Sequence, residues 1–384
     1  MNEQSEIVKK RLSNSKIKDW VSHFQNYPDL INLSIGEPSF AVSMAIKANI
    51  ISAIADDESH YAETQGNEKL RHAISQYIQD QFDTPKYSVS DILITIGATE
   101  AVYLAMQGLF SSGDKIILPL PAYPLYVGIA EYLGLDMIFI DTKSTDFRMT
   151  VQQLKATIDA HPDVKGIIFN DPSNPSGVVY SAEEIKLFAD VLSQTNITIL
   201  TDEIYGALTY DHPHVSISKF LPDQTIIIGG LSKSHAMTGY RIGFIAGPHA
   251  QVKKLTQLQE LMIGSVPTPL MVGSIAAFDN QIDTYQMKET YRHRRELMVD
   301  GLRSAGLEVL KPEGAFYALA KVPDDVTDEQ FVTLLMEKIQ VGVIPGSIFG
   351  APGYMRLSFA AGNEEISEAM LRLRTFMRTF EKSL

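Results

Sequence analysis

The sequence predicts an α/β protein: a three-layer body on a mainly parallel, seven-stranded sheet, followed by a smaller α+β unit. Three observations lead there. Seven short apolar runs recur between about residues 91 and 247, at 92–96, 115–118, 137–140, 166–169, 197–201, 225–228 and 242–246. Several are continuously apolar rather than alternating, which is the pattern of strands buried on both faces. Segments of helical length separate most of them, at 100–110, 123–133, 151–160 and 183–192, and such alternation favours a parallel sheet with helices on both sides.

Taken in order, residues 1–40 are too few to fold alone and are expected to pack with the C-terminal unit. Residues 41–282 form the large α/β body, in which Ser181 and Glu184 make a capping box at the head of the fourth helix. Only residues 229–241 separate the last two strand runs. No crossover helix fits there, so one of the pair is expected to run antiparallel. Residues 283–384 read as the α+β unit: a charged helix at 283–304, strands at 307–310 and 316–320, a helix capped by Thr327 and Gln330, a strand at 355–360 and a last helix from Glu364.

Composition excludes several classes of function. The 384 residues carry a net charge of −13 with no long basic run, which argues against binding nucleic acid or an anionic membrane. There are no cysteines, so disulfides, thiolate metal sites and cysteine nucleophiles are out; no metal site is expected, and a reducing cytoplasm suits the chain. The first twenty residues are charged throughout and lack an apolar core, so no signal peptide is expected. The uncharged stretch 261–278 contains Gly264, Pro267, Pro269 and Gly273 and reads as loop and helix, not as a membrane span.

In an open α/β sheet, ligands gather at the carboxyl ends of the strands. The first strand is followed by Gly97-Ala98-Thr99-Glu100, a small-residue turn opening a helix, where backbone N–H groups can hold a phosphate; alone it is an ordinary turn. The fourth is followed by a loop from Asn170 to Gly177 with two prolines, in which Asn174 can offer a donor. The fifth is followed by Asp202-Glu203-Ile204-Tyr205. A carboxylate leaving a buried strand needs a cation or a helix to cap. The sixth is followed by Lys233 among Gly, Ser and Ala, with Arg241 eight residues on. Partial desolvation lowers such a lysine's pKa and makes it a nucleophile toward aldehydes. A phosphate cradle, a buried Asp, a desolvated Lys and a second cation together describe a pyridoxal phosphate site.

At this point the chain resembles the class I/II aminotransferases, pyridoxal-phosphate enzymes of fold type I. The resemblance runs through 33–40 (LSIGEPSF), 61–66 (YAETQG) with Leu70-Arg71, 97–101 (GATEA), 121–126 (PAYPLY), Asn170 to Gly177, 202–205 (DEIY), Ser232-Lys233 through Gly243, 314–317 (GAFY) and 356–360 (RLSFA). It implies that Lys233 bonds the cofactor's aldehyde and shuttles the proton at the substrate α-carbon. Asp202 would pair with the pyridine nitrogen, Tyr205 and Asn174 would hydrogen-bond the phenolic oxygen, and Tyr123 would stack on the ring. Arg241 with Ala98 and Thr99 would grip the phosphate. Arg356 would clamp the substrate α-carboxylate, and Gly36 would let an N-terminal segment close over it. Tyr61 resembles the tyrosine sent across a dimer interface to the partner's phosphate, which implies a homodimer with shared active sites.

Two positions depart from the family pattern. Gly230 stands where many relatives have a phosphate-binding serine, which leaves Ser232 as the hydroxyl candidate, and Tyr240 replaces a tryptophan before Arg241. His235 matches no catalytic position and reads as a loop residue. The implied reaction is a ping-pong exchange between an L-amino acid, aromatic or broad-range, and a 2-oxo acid, 2-oxoglutarate being expected. A C–S β-lyase on the same scaffold and an acyl-diaminopimelate aminotransferase stay open. A non-catalytic regulator is disfavoured, for the chain has no room for a fused DNA-binding domain.

Overall fold

The computed structural model describes residues 16–279 and 281–380; the stretch 1–15, on which most of the signal-peptide expectation rests, lies outside the described residues. After a two-residue strand β1 (Ile31–Asn32), the sheet strands are β2 (Ile92–Ile96), β3 (Lys115–Leu120), β4 (Asp136–Asp141), β5 (Val164–Asn170), β6 (Thr198–Asp202), β7 (Thr225–Gly230) and β8 (Ile242–Ala246). They form one seven-stranded sheet in the order β2-β8-β7-β6-β5-β3-β4.

Each apolar run is continuous because alternate side chains enter different cores. Ile116, Leu118 and Ile168 face the helices Gly97–Leu109 and Pro124–Leu133. Ile117, Ile167 and Phe169 face Val151–Ala160 and Ala182–Leu192. The Ser181–Glu184 capping box opens the last of these, with Ser181 Oγ accepting from Glu184 N at 3.2 Å.

β8 is the reversed strand. It runs antiparallel to both β2 and β7, pairing Ile242 with Ile96 and Gly243 with Gly230. Arg241, the residue before it, therefore stands at the edge where β2 and β7 end. This single reversal brings a residue from the start of one strand to the carboxyl ends of its neighbours.

The C-terminal region contains β9 (Tyr317–Lys321), β10 (Val341–Gly342), β11 (Ile344–Pro345) and β12 (Tyr354–Ser358). An antiparallel sheet β11-β12-β9 shares an apolar core with the helices Ile282–Ser304, Asp328–Ile339 and Asn363–Phe380. β1 pairs in parallel with β10, and Trp20 Nε1 donates to the Val343 carbonyl at 3.0 Å.

The expected strand at 307–310 does not form; only an isolated bridge joins Val309 to Ala320. The chain leaves at Pro312, and the N–H groups of Glu313 and Gly314 both bond the Gly177 carbonyl, at 2.8 and 2.9 Å. Backbone groups that would have extended a ladder instead tie this segment to the 170–177 loop.

Candidate active site

A cavity of about 310 Å³ opens at the carboxyl edge of the large sheet. Of the residues singled out from the sequence, Gly36, Ala98, Thr99, Tyr123, Asn174, Asp202, Tyr205, Ser232, Lys233, Arg241 and Arg356 all line it. Tyr61 does not; its side chain is 96% exposed.

Lys233 leaves β7 on a one-turn helix, Leu231–Ser234, and its Nζ donates to the Gly36 carbonyl at 2.6 Å. Burial drives its pKa down to about 8, opposed by Glu37 and Asp202 and reinforced by Arg241 and Arg356. An amine with that pKa is still mostly protonated at pH 7, but its uncharged, nucleophilic fraction is far larger than that of an ordinary lysine.

Asp202, at the end of β6, is buried. Its Oδ2 accepts from the Tyr126 hydroxyl at 2.8 Å and its Oδ1 from the Ile204 N–H at 3.1 Å. Burial raises its pKa to about 6 in spite of those two hydrogen bonds and the nearby Lys233. It takes part in no ion pair recorded among the described residues, so this carboxylate is set to gain from a cation brought to it.

Arg356, in the middle of β12, is the complementary case. Its guanidinium lies over the rings of both Tyr317 and Phe349, 4.4 and 4.6 Å from their centroids. Nη1 donates to Asn174 Oδ1 at 3.1 Å and Nη2 to the Ser34 carbonyl at 2.7 Å, while Nε is buried with no partner among the described residues. Burial lowers its pKa. A cation that is 2% exposed, with no carboxylate paired to it among the described residues, is set to gain from an anion brought to it.

These groups are joined by hydrogen bonds. The Asn174 N–H donates to Asn170 Oδ1 at 2.8 Å, and Asn170 Nδ2 donates to the Asp202 carbonyl at 3.0 Å. The hydroxyls of Tyr205 and Tyr317 lie 3.0 Å apart. Tyr126, Asn170 and Tyr317 carry no role that their local sequence predicts: their partners are 76, 32 and 112 residues away, and no local spacing encodes such contacts.

At the other end of the cavity Arg241 adopts φ 58°, donating to the Thr238 carbonyl at 2.9 Å and more distantly to that of Ile96 at 3.4 Å. A β-carbon at Gly97 would collide with its guanidinium, so the glycine lets the arginine lie against the first turn that carries Ala98 and Thr99. Gly230 explains itself similarly: a β-carbon there would stand 2.8 Å from the Ile242 carbonyl and 3.0 Å from the Gly243 Cα. The reversed strand leaves no room for a serine.

Beneath the site, His214 bridges two buried carboxylates, with Nδ1 3.1 Å from Asp171 and Nε2 3.2 Å from Glu203. The two acids, aided by hydrogen bonding, raise its pKa to about 10 against the effect of burial. His235 is the opposite. Burial lowers it to about 4; its Nε2 donates to the Ala277 carbonyl at 2.9 Å and its Nδ1 faces Ser234 Oγ at 2.8 Å. It is a neutral tether for the Lys233 turn and does not line the cavity.

The family described as aminotransferase class I and II matches residues 28–373. A probable N-acetyl-LL-diaminopimelate aminotransferase of Bacillus subtilis is 36% identical over 94% of this chain and 93% of its own length. An aspartate aminotransferase of Geobacillus stearothermophilus is 34% identical over 91% of each. Among solved structures, an aspartate aminotransferase from Thermus thermophilus with maleate superposes with a TM-score of 0.92 at 26% identity, covering 98% of this chain and all of the other.

Proposed function

The chain belongs to the class I and II aminotransferases, transaminases that use pyridoxal phosphate, and from that premise we propose that it takes L-amino acids with apolar or aromatic side chains and passes the amino group to a 2-oxo acid, 2-oxoglutarate first among them. The observation that carries this reading is Arg356: a buried guanidinium lying over two aromatic rings, with no partner for its Nε among the described residues, in the same cavity as Lys233 and Asp202.

The site fits the cofactor. Asp202 is a buried carboxylate with no ion-pair partner recorded among the described residues, where a protonated pyridine nitrogen would fit. Arg241 and the first-turn N–H groups at Ala98 and Thr99 would hold the phosphate, with Ser232 beside them. Tyr123 would cover one ring face, and Tyr205 with Asn174 would reach the phenolic oxygen. When bound, the cofactor supplies an electron sink for the bonds at the substrate α-carbon. Lys233, released from the cofactor, would move the proton to and from that carbon. Arg356 would fix the substrate by its α-carboxylate in a bidentate pair, and the 34–36 segment would close the cavity over it.

The side-chain preference rests on the wall. Ile17, Val21, Ile35 and Leu125 supply apolar surface, and among the described residues its only cations are Lys233, Arg241 and Arg356. Each of these already has a role. A second carboxylate, whether of 2-oxoglutarate or of the aspartate named for two of the relatives, finds no further cation on this wall among the described residues and would have to be met by a group from a second copy of the chain.

A second copy of the chain would complete the enzyme. The helix Met44–Ala55 buries Ile46, Ile50 and Ala53 but exposes Met44, Ile51 and Ile54, while Leu261 and Tyr61 are exposed nearly in full. Apolar side chains exposed together on one helix face mark a partner surface, and Tyr61 would reach from it into the partner's phosphate site. The test is a transamination panel with 2-oxoglutarate across aromatic, aliphatic and acidic amino acids. Turnover confined to acidic donors would contradict the side-chain reading.

A further inference from the structure

We propose that Tyr317 is a positioning residue serving both halves of the site: its hydroxyl holds Tyr205 toward the cofactor's phenolic oxygen, and its ring is the platform on which Arg356 receives the substrate carboxylate. This rests on the roles given to Tyr205 and Arg356 above.

The backbone arranges the double duty. Tyr317 begins β9 and pairs with Ser358 of β12, while Arg356 pairs with Leu319. Tyr317 and Arg356 are therefore diagonal neighbours on one sheet face, close enough for a ring to cover a guanidinium. The Arg356 guanidinium carbon is 4.4 Å from the Tyr317 centroid, and the Tyr317 hydroxyl is 3.0 Å from that of Tyr205. Both phenols are buried, at 2% and 4% exposure. The same hydroxyl closes on the N-terminal segment, since a β-carbon at Gly36 would collide with it.

Proton counting gives the pair a direction. Each phenol has one proton. If Tyr205 donates to a ligand oxygen, it can take from Tyr317 only by accepting. The Tyr205 hydroxyl is the one hydrogen-bond partner recorded for that of Tyr317 among the described residues. The result is a donor chain from Tyr317 through Tyr205 to the ligand, and each bond in such a chain polarises the next. The groups around it are Arg356 and Tyr123, with Asp202 and Lys233 across the cavity and Arg241 beyond. None of these touches the Tyr317 hydroxyl, so its removal perturbs one bond. A weaker donor at Tyr205 leaves the anionic oxygen less stabilised and more ready to share a proton.

The test uses the pyridoxal-phosphate-loaded enzyme and follows its visible absorbance against pH, together with KM for an amino acid. Tyr205→Phe is expected to move the titration midpoint upward. Tyr317→Phe should move it the same way by about half a unit, with a smaller effect on KM because the ring remains. The double variant should titrate with Tyr205→Phe alone, because the Tyr317 hydroxyl acts through Tyr205. Tyr317→Leu, which lacks the ring, should raise KM roughly tenfold further. A Tyr317→Phe midpoint equal to wild type, with Tyr205→Phe shifted, overturns the hydroxyl role and leaves the Tyr205 reading standing. If neither shifts, the Tyr205 reading itself is wrong and the inference falls with it. A Tyr317→Leu variant with the KM of Tyr317→Phe overturns the platform.

Discussion

The Tyr126 hydroxyl donates to Asp202 Oδ2 at 2.8 Å, and that bond belongs to a carboxylate buried at the end of a strand with no ion-pair partner recorded among the described residues. The tyrosine holds the acid in one orientation but does not supply the charge that would keep it ionised. Burial still leaves its pKa at about 6.

That balance makes cofactor binding pH-dependent. Only ionised Asp202 can pair with a protonated pyridine nitrogen, so the apoenzyme's affinity for pyridoxal phosphate should weaken as pH falls below about 6. Asp202→Asn should remove this dependence and cut turnover on the order of 10²-fold, with Asp202→Glu retaining more activity because it keeps the charge. Fluorescence titration of the apoenzyme from pH 5 to 8 measures the first effect, steady-state kinetics the second.

Lys233 sets activity against stability. Its folded pKa, about 8, lies below the ordinary 10.5, so burying the ammonium costs the apoprotein stability at pH 7. The unfolded chain binds more protons between these values, and wild-type stability should rise with pH through that window. Lys233→Met should therefore stabilise the apoprotein at pH 7 by about 1–3 kcal/mol, after allowing for the lost bond to Gly36. The gain should fade as pH approaches 10. Paired melts of apo wild type and variant read both signs.

His214 follows the reverse rule. Its folded pKa of about 10 lies above the ordinary 6.5, so its contribution is complete below about pH 6.5 and is lost as pH rises through 10. His214→Asn leaves two buried carboxylates unpaired and should cost about 3–5 kcal/mol at pH 6. The difference from wild type should shrink by pH 10.5. Urea denaturation at the two pH values is the check, and a gap that is constant with pH would mean that the imidazole is neutral.

The two arginines should separate cofactor from substrate. Arg356→Lys loses a bidentate fork and should cost roughly 2–5 kcal/mol in kcat/KM for amino acid and oxo acid alike, leaving cofactor retention nearly unchanged. Arg241→Lys should instead weaken cofactor retention. Titrating each with pyridoxal phosphate and with a slowly reacting amino-acid analogue distinguishes them, and a swap of the two phenotypes would reverse the assignments.

How far the sequence carried depended on the range of the interactions. The seven strands were visible because Ile116–Leu118 and Ile167–Phe169 are apolar on both faces, and the reversed β8 because thirteen residues cannot hold a crossover. The chemistry-bearing positions were visible because strand ends collect them. The strand at 307–310 was misread because its pattern is locally sound; the Gly177 carbonyl, more than a hundred residues earlier, draws off the chain beyond it. Tyr126 and Tyr317 look like core aromatics in sequence. Only the packing of distant strands turns one hydroxyl to Asp202 and the other to Tyr205.

The central claim is that Lys233 is the residue through which this transaminase holds its cofactor. Borohydride reduction of the pyridoxal-phosphate-loaded enzyme, followed by peptide mass mapping, tests it directly. The account predicts a yellow protein that bleaches on reduction, with the cofactor's mass fixed on the peptide containing Lys233, and a Lys233→Ala variant that folds, does not retain label and does not transaminate. Label on a different lysine, or a Lys233→Ala enzyme turning over at the parent rate, would contradict it.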